Sequence, residues 1–308
     1  MTDHSPNHKA EFSAPFTEVN IGARLNSMLN LRTMLSKDLG FAQYLTETVG
    51  WNNSISDFER LLYYEPEGCF VAEQNGEPVG TVTTTTYGKL AWVGCLIVLE
   101  HYRRQGIGLE LMNHAMNYLK ARGVETIRLD AVPEVIPLYQ RLGFNAEYDS
   151  LRLIGTGRTM MCQKVSKMKD EDLDNVVHLD TRFFGANRGR ALRRTHKDFQ
   201  DWCFVSVIDE KLVGYIMAKR GLGQINIGPW ICDPKHTEIA EELLRAILNN
   251  AKGARIWVGV PGGNKRSVNL LREYAFVDHP KSVRMYHGKR DYRGLINGVF
   301  GIGAPEKG

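Results

Sequence analysis

The stretch AWVGCLIVLEHYRRQGIG, residues 91 to 108, decides the fold. It opens as an apolar strand through Val98. It then turns polar, and two arginines and the glycines at 106 and 108 stand ahead of a new apolar rhythm. Ile107, Leu111, Ala115 and Leu119 recur every four residues, which predicts an amphipathic helix stopped by Gly123. The first turn of such a helix carries backbone N–H groups with no intrahelical partner and the positive end of the helix dipole. Glycines keep Cβ atoms out of the way, so the segment reads as an anion site beside Arg103 and Arg104. The spacing is neither G-x-G-x-x-G nor a loop ending G-K-[ST], so it is not one of the familiar nucleotide fingerprints.

The chain repeats itself. FVAEQNGEPVG at 70 to 80 returns as FVSVIDEKLVG at 204 to 214, an offset of 134 residues that also carries Gly94 onto Gly228. Each copy reads as two strands around a polar turn, followed by a strand, a helix and another strand, IRLDAV at 127 and IWVGVP at 256. Each closes on a similar helix end, LYQRLGF at 138 and LLREYAF at 270. Matching order at a near-constant offset indicates duplication of one α/β unit, and the period is too long for a solenoid.

Strand, R-x-x-G-x-G, amphipathic helix, strand, then LYQRLGF resembles the GNAT superfamily of acyl-CoA-dependent N-acyltransferases. The resembling residues are Leu96, Ile97 and Val98, then Arg103, Arg104, Gln105, Gly106, Ile107 and Gly108, then Leu138, Tyr139, Gly143 and Phe144. The resemblance implies tandem α/β (α+β) folds, each a mixed, mostly antiparallel central sheet flanked by helices. It implies that Leu96 to Val98 take the pantetheine arm of acetyl-CoA and that Arg103 to Gly108 take its diphosphate. An Asn that many members place seven residues before the Tyr is replaced here by Val132. DAVPEVIP at 130 to 137 is similar to the linker of a bacterial two-domain subgroup.

Acyl transfer from a thioester to an amine needs a neutral amine, proximity, a stabilised oxyanion and a protonated leaving thiolate. Tyr139 suits the last role, because a phenol with a pKa of about 10 keeps its proton at neutral pH. Asp130 is the candidate base, with Glu134 and His101 as alternatives.

At the offset of 134, Arg103, Arg104, Gly106, Ile107 and Gly108 align with Thr237, Glu238, Ala240, Glu241 and Glu242. At the offset of 132 that relates the two helix ends, Tyr139 falls on Leu271. The second half is therefore expected to keep the fold without the cofactor site. It would shape the acceptor pocket, with Trp230 in IGPWIC and with Trp51 and Asn52 in GWNNS as candidate substrate contacts.

These readings divide the chain into a disordered tail at 1–15, a catalytic unit at 16–157, a degenerate unit at 158–290 and an extension at 291–308. A net charge of +4 over 308 residues and no interleaved aromatics in the basic patch at 188 to 197 argue against nucleic acid. No apolar run reaches the roughly 20 residues of a membrane span. Five scattered cysteines without C-x-x-C spacing argue against a structural metal or disulfides and fit a reducing cytoplasm. The expectation is a monomeric or homodimeric transferase that acetylates a small-molecule amine. The alternatives are a non-catalytic acyl-CoA-binding module and a protein acetyltransferase.

Overall fold

The computed structural model describes residues 29–51, 53–292 and 294–308. The tail expected at 1–15 lies outside them. The first repeat runs β1 (Leu29–Thr33), α1 (Leu39–Thr48), α2 (Ile55–Tyr64), β2 (Phe70–Gln74), β3 (Glu77–Tyr87), β4 (Leu90–Val98), α3 (Ile107–Ala121), β5 (Thr126–Ala131), α4 (Ile136–Arg141) and β6 (Asn145–Thr156). The second runs β7 (Ser166–Lys167), α5 (Leu173–Phe184), α6 (Gly189–Asp198), β8 (Cys203–Ile208), β9 (Lys211–Gly221), β10 (Gln224–Cys232), α7 (Thr237–Asn250), β11 (Arg255–Pro261), α8 (Lys265–Glu273) and β12 (Val277–Gly288). A short β13 (Val299–Gly301) follows.

Local chemistry explains the elements. The NGEP turn places Asn75 and Gly76 at φ 57° and 83°, and the DEK turn places Asp209 and Glu210 at 47° and 62°. Paired left-handed residues match the twist of a two-residue hairpin, so both copies turn alike although only one has a glycine. Ser54 starts α2 through a reciprocal cap, accepting from the Asp57 N–H at 3.2 Å while its own N–H donates to the Asp57 carboxylate at 3.0 Å. The apolar stripes of α3 and α7 are buried as their periodicity requires.

In the first repeat, alternation along the strands separates two faces. Phe70, Ala72, Ile127, Leu129 and Ala131 pack with α3, whereas Val71 and Cys95 pack with α1 and α2. Arg128 and Asp130 alternate with the first set and so point to the α1–α2 side. The same side carries α5 and α6, and Arg60 of α2 reaches Asp198 at the end of α6 at 3.5 Å.

The strands form one sheet in the order β1-β2-β3-β4-β5-β12-β6-β11-β10-β9-β8-β7, with β13 on β10. The last strands of the two repeats are therefore exchanged. β12 pairs antiparallel with β5, Val283 opposite Ala131 through Gly288 opposite Thr126. β6 pairs antiparallel with β11, Ser150 opposite Pro261 through Thr156 opposite Arg255. The two exchanged strands also pair with each other at the centre. The boundary expected at 157/158 falls at the end of β6, but the chain on either side of it does not fold over its own strands.

Both neighbours of β6 belong to the second repeat, and β5 has β12 on one edge. A fragment ending at residue 157 would leave β6 unpartnered and the β5 edge bare. Expressed alone, residues 29–157 should lack near-ultraviolet circular dichroism and elute as aggregate. The whole chain should unfold in a single calorimetric transition; a monomeric, cooperatively folded fragment would contradict this account.

Candidate active site

β4 and β5 run parallel for three residue pairs only, Leu90–Thr126 to Trp92–Arg128, and then part. Just beyond, the register of β4 against β3 slips by one residue and Cys95 takes φ 47°, a bulge that bends the strand away. The backbone beyond Trp92 is left facing a cleft, into which half-exposed Leu96 and Val98 project while Ile97 is buried.

At the far end of the cleft is the loop before α3. Arg104 sits at φ 62° and Gly106, the helix N-cap, at φ 86°. Arg103 bends back so that its Nε donates to the Val98 carbonyl at 2.9 Å, and Gln105 Nε2 donates to the His101 carbonyl at 3.1 Å. Among the described residues, no backbone N–H from Arg104 to Gly108 donates to a protein acceptor. A Cβ added at Gly108 would meet only Val98, at 3.8 Å. The Ile107 side chain is buried in the core, so only its backbone can serve a ligand. An open helix N-terminus flanked by two exposed arginines can hold an anion.

Tyr139 belongs to the same buried cluster that Leu96 and Val98 border, with its ring edge-on to Phe144 at 5.8 Å. Burial pushes its phenol up to about 12. Among the described residues its hydroxyl has no hydrogen-bond partner, so the donor is free.

Asp130 has other company than a base requires. Its carboxylate accepts from Arg152 Nη2 at 2.8 Å, from Ser150 Oγ at 2.8 Å and from Arg284 Nε. Burial alone would raise its pKa, but Arg284 and Arg152 outweigh burial and hold it below the usual carboxylate range. A carboxylate gripped by two guanidinium groups organises the β5–β12–β6 seam; it is a poor proton acceptor.

The residues expected as substrate contacts lie in different surroundings. Trp51 is 42% exposed in the turn between α1 and α2. Asn52 lies outside the described residues. Trp230 is fully buried in the second repeat, tilted against Phe300 of β13 at 5.2 Å.

That last contact explains the second repeat. β10 and β11 also part after three parallel pairs, Ile225–Ile256 to Ile227–Val258. Here β13 enters the gap and pairs with β10 at Trp230 and Ile231. Ile302 N–H donates to the Gly259 carbonyl of β11 at 2.9 Å, and Ser267 Oγ donates to the Phe300 carbonyl at 2.6 Å. A Cβ on Gly228 would fall 1.8 Å from the Ile302 carbonyl oxygen, so glycine is needed for this close approach. The loop that could hold an anion is gone as well, because α7 begins at Thr237, the position matching Arg103.

After β13 the chain crosses to the first repeat. The Glu306 side chain lies against Gly94, where an added Cβ would be 2.4 Å away. Tyr87 Oη donates to the Lys307 carbonyl at 2.8 Å, and Arg188 Nη1 donates to the Gly308 carbonyl at 2.6 Å. Gly308 rests on the edge of Trp92. Asp57 of α2 joins Lys219 of β9 and Arg60 above this segment. Sequence reasoning missed Arg284, Arg152, Lys219 and Glu306. The signal available for Arg284 was a charged residue inside the otherwise apolar-alternating strand SVRMY.

Residues 39–144 match the acetyltransferase (GNAT) family, and residues 176–301 match an acetyltransferase (GNAT) domain. The chain is a two-domain member of the GNAT superfamily. It is an N-acetyltransferase by that membership. Holothin acyltransferase of Pseudoalteromonas sp. (strain SANK 73390) is 24% identical over 243 residues, 78% of this chain and 81% of the relative. A Pyrococcus horikoshii structure assigned to the acetyltransferases superposes with a TM-score of 0.79 at 24% identity, covering 98% of this chain and all of that one. A tandem GNAT protein from the clavulanic acid biosynthesis pathway gives 0.63 at 16% identity over 84% of this chain and 98% of its own. At these identities the structures establish the shared fold.

Because Asp130 is depressed in the folded state, its contribution to stability is present above the unfolded value of about 3.9 and lost as pH falls through the folded one. Asp130→Asn leaves the buried Arg284 and the part-buried Arg152 without their carboxylate and should cost about 3–5 kcal/mol at pH 7. Urea unfolding at pH 7, 5 and 3 should show the gap to the native chain narrowing only at the lowest pH.

Proposed function

We propose that the first repeat transfers an acetyl group from acetyl-CoA to the primary amine of a small molecule, by direct attack within the β4–β5 cleft. The observation that carries this reading is the contrast between two copies of one unit. In the first, the parted strands, the open N-terminus of α3 and the free Tyr139 hydroxyl belong to one cleft. In the second, the corresponding gap is filled by the chain itself.

In this reading the backbone of Leu96, Ile97 and Val98 lines the pantetheine arm, and the N–H groups of Arg104 to Gly108 with the Arg103 and Arg104 side chains hold the diphosphate. Acetyl-CoA supplies the activated thioester. As the amine nitrogen bonds to the carbonyl carbon and the C–S bond breaks, Tyr139 donates its hydrogen bond to the departing sulfur. Its pKa of about 12 lies well above the ~8.5 of a thiol. Tyr139 therefore steadies the thiolate, and the proton released by the amine ends on the sulfur or on solvent.

Enclosure supports a small acceptor over a protein one. The acceptor side of β4 is covered by Phe184 of α5, by Arg188 at the start of α6 and by residues 306–308, not left as an open groove. The chain's similarity to holothin acyltransferase points the same way.

The test is thiol release from acetyl-CoA across a panel of small amines and, separately, peptide amines. Tyr139→Phe should lower kcat by about 10²-fold while calorimetry shows acetyl-CoA affinity unchanged within about twofold. Binding of acetyl-CoA without turnover of any amine would reduce the protein to a binding module.

A further inference from the structure

Where β4 leaves β5, a group of buried cations surrounds Trp92. Arg128 Cζ lies 5.6 Å and Arg284 Cζ 5.1 Å from the indole centroid. The three residues are 1%, 4% and 3% exposed in the order Trp92, Arg128, Arg284. Each keeps one buried nitrogen with no protein partner, Nε1 of Trp92, Nε of Arg128 and Nη2 of Arg284. All three atoms are donors. A buried donor without a partner costs about 1–3 kcal/mol, and more when it is charged.

Each of the two buried guanidinium groups has a carboxylate partner. Arg128 pairs with Glu147 at 2.9 Å, whereas Arg284 and Arg152 share Asp130. Arg152 is only part-buried, so it is the unpartnered donors and not a deficit of carboxylate that mark the place.

We propose that this group is a subsite for an acidic function of the acceptor, and that the amine acetylated here carries a carboxylate. The inference rests on the transferase reading above. A planar anion with two oxygens suits donors drawn from two guanidinium groups and an indole. Glu147 Oε2, which also lacks a protein partner, accepts from an N–H or O–H elsewhere on the same ligand. The position fits, because Trp92 and Arg128 form the last β4–β5 pair before the cleft opens and Gly94 and Cys95 stand two and three residues further along β4.

Matched acceptors test the idea on the unmodified protein. L-α-amino acids and ω-amino acids from glycine to 6-aminohexanoate are each compared with the primary amide of the same skeleton, following thiol release and, by calorimetry, binding to the acetyl-CoA-loaded enzyme. At least one acid should exceed its amide by about 100-fold in kcat/KM. Arg284→Gln should erase that preference by raising KM for the acid with little change for the amide and with acetyl-CoA affinity retained. Arg284→Lys, which keeps the charge, should recover part of it. Amides turned over as well as their acids, or aminoalkyl phosphates preferred to both, would overturn the proposal. So would an absence of both turnover and binding for every acid. Acids that bind through Arg284 but are never acetylated would uphold the subsite while refuting the transferase reading.

Discussion

A strand that leaves its neighbour must find new partners for its backbone groups, and this constraint shapes both halves of the molecule. β4 and β10 each part from a parallel neighbour after three residues. Unpaired N–H and C=O groups in a buried place are costly, so the gap has to be closed by something that hydrogen-bonds like a strand. The second half closes it with its own β13, bound to β10 on one side and reaching β11 through Ile302. In the first half, among the described residues, no strand enters the gap. One geometry thus yields a filled core in one copy and an open cleft in the other.

Much of this was legible in the sequence. Hairpin turns, helix stripes, the open loop at Arg103 to Gly108 and its loss at Thr237 to Glu242 are local patterns, fixed by residues within one or two helical turns. The strand exchange was not legible. β6 and β12 alternate in the same way whichever repeat supplies their neighbours, since alternation encodes which face is buried and not who sits alongside. Asp130 was misread for the same reason. A carboxylate at a strand end resembles a base until Arg284, distant in sequence, is delivered beside it by the exchanged β12. Trp51 and Trp230 were singled out by their aromatic character and by the motifs GWNNS and IGPWIC, and neither distinguishes a pocket wall from a solvent-facing turn or a core.

Buried charge is concentrated where the two halves meet. Asp57 with Lys219, Asp130 with Arg284 and Arg188 with Gly308 each join groups from different parts of the chain. Ion pairs of this kind add little net stability compared with apolar packing, but a wrong alignment would leave Lys219 and Arg284 buried without their carboxylates, at several kcal/mol apiece. They therefore fix the relative setting of the halves, and with it the shape of the space above Gly94.

The exchanged terminal strands have the geometry of a two-fold pair in which each subunit lends its last strand to the other, written here into one polypeptide. In a pair of identical chains every substitution is made twice, so a site and its loss cannot coexist. Fusion removes that symmetry. One copy can surrender its glycines and Tyr while still lending the arginine-bearing strand on which its sister depends, and neither copy can afterwards be exchanged for a foreign one without rebuilding the other.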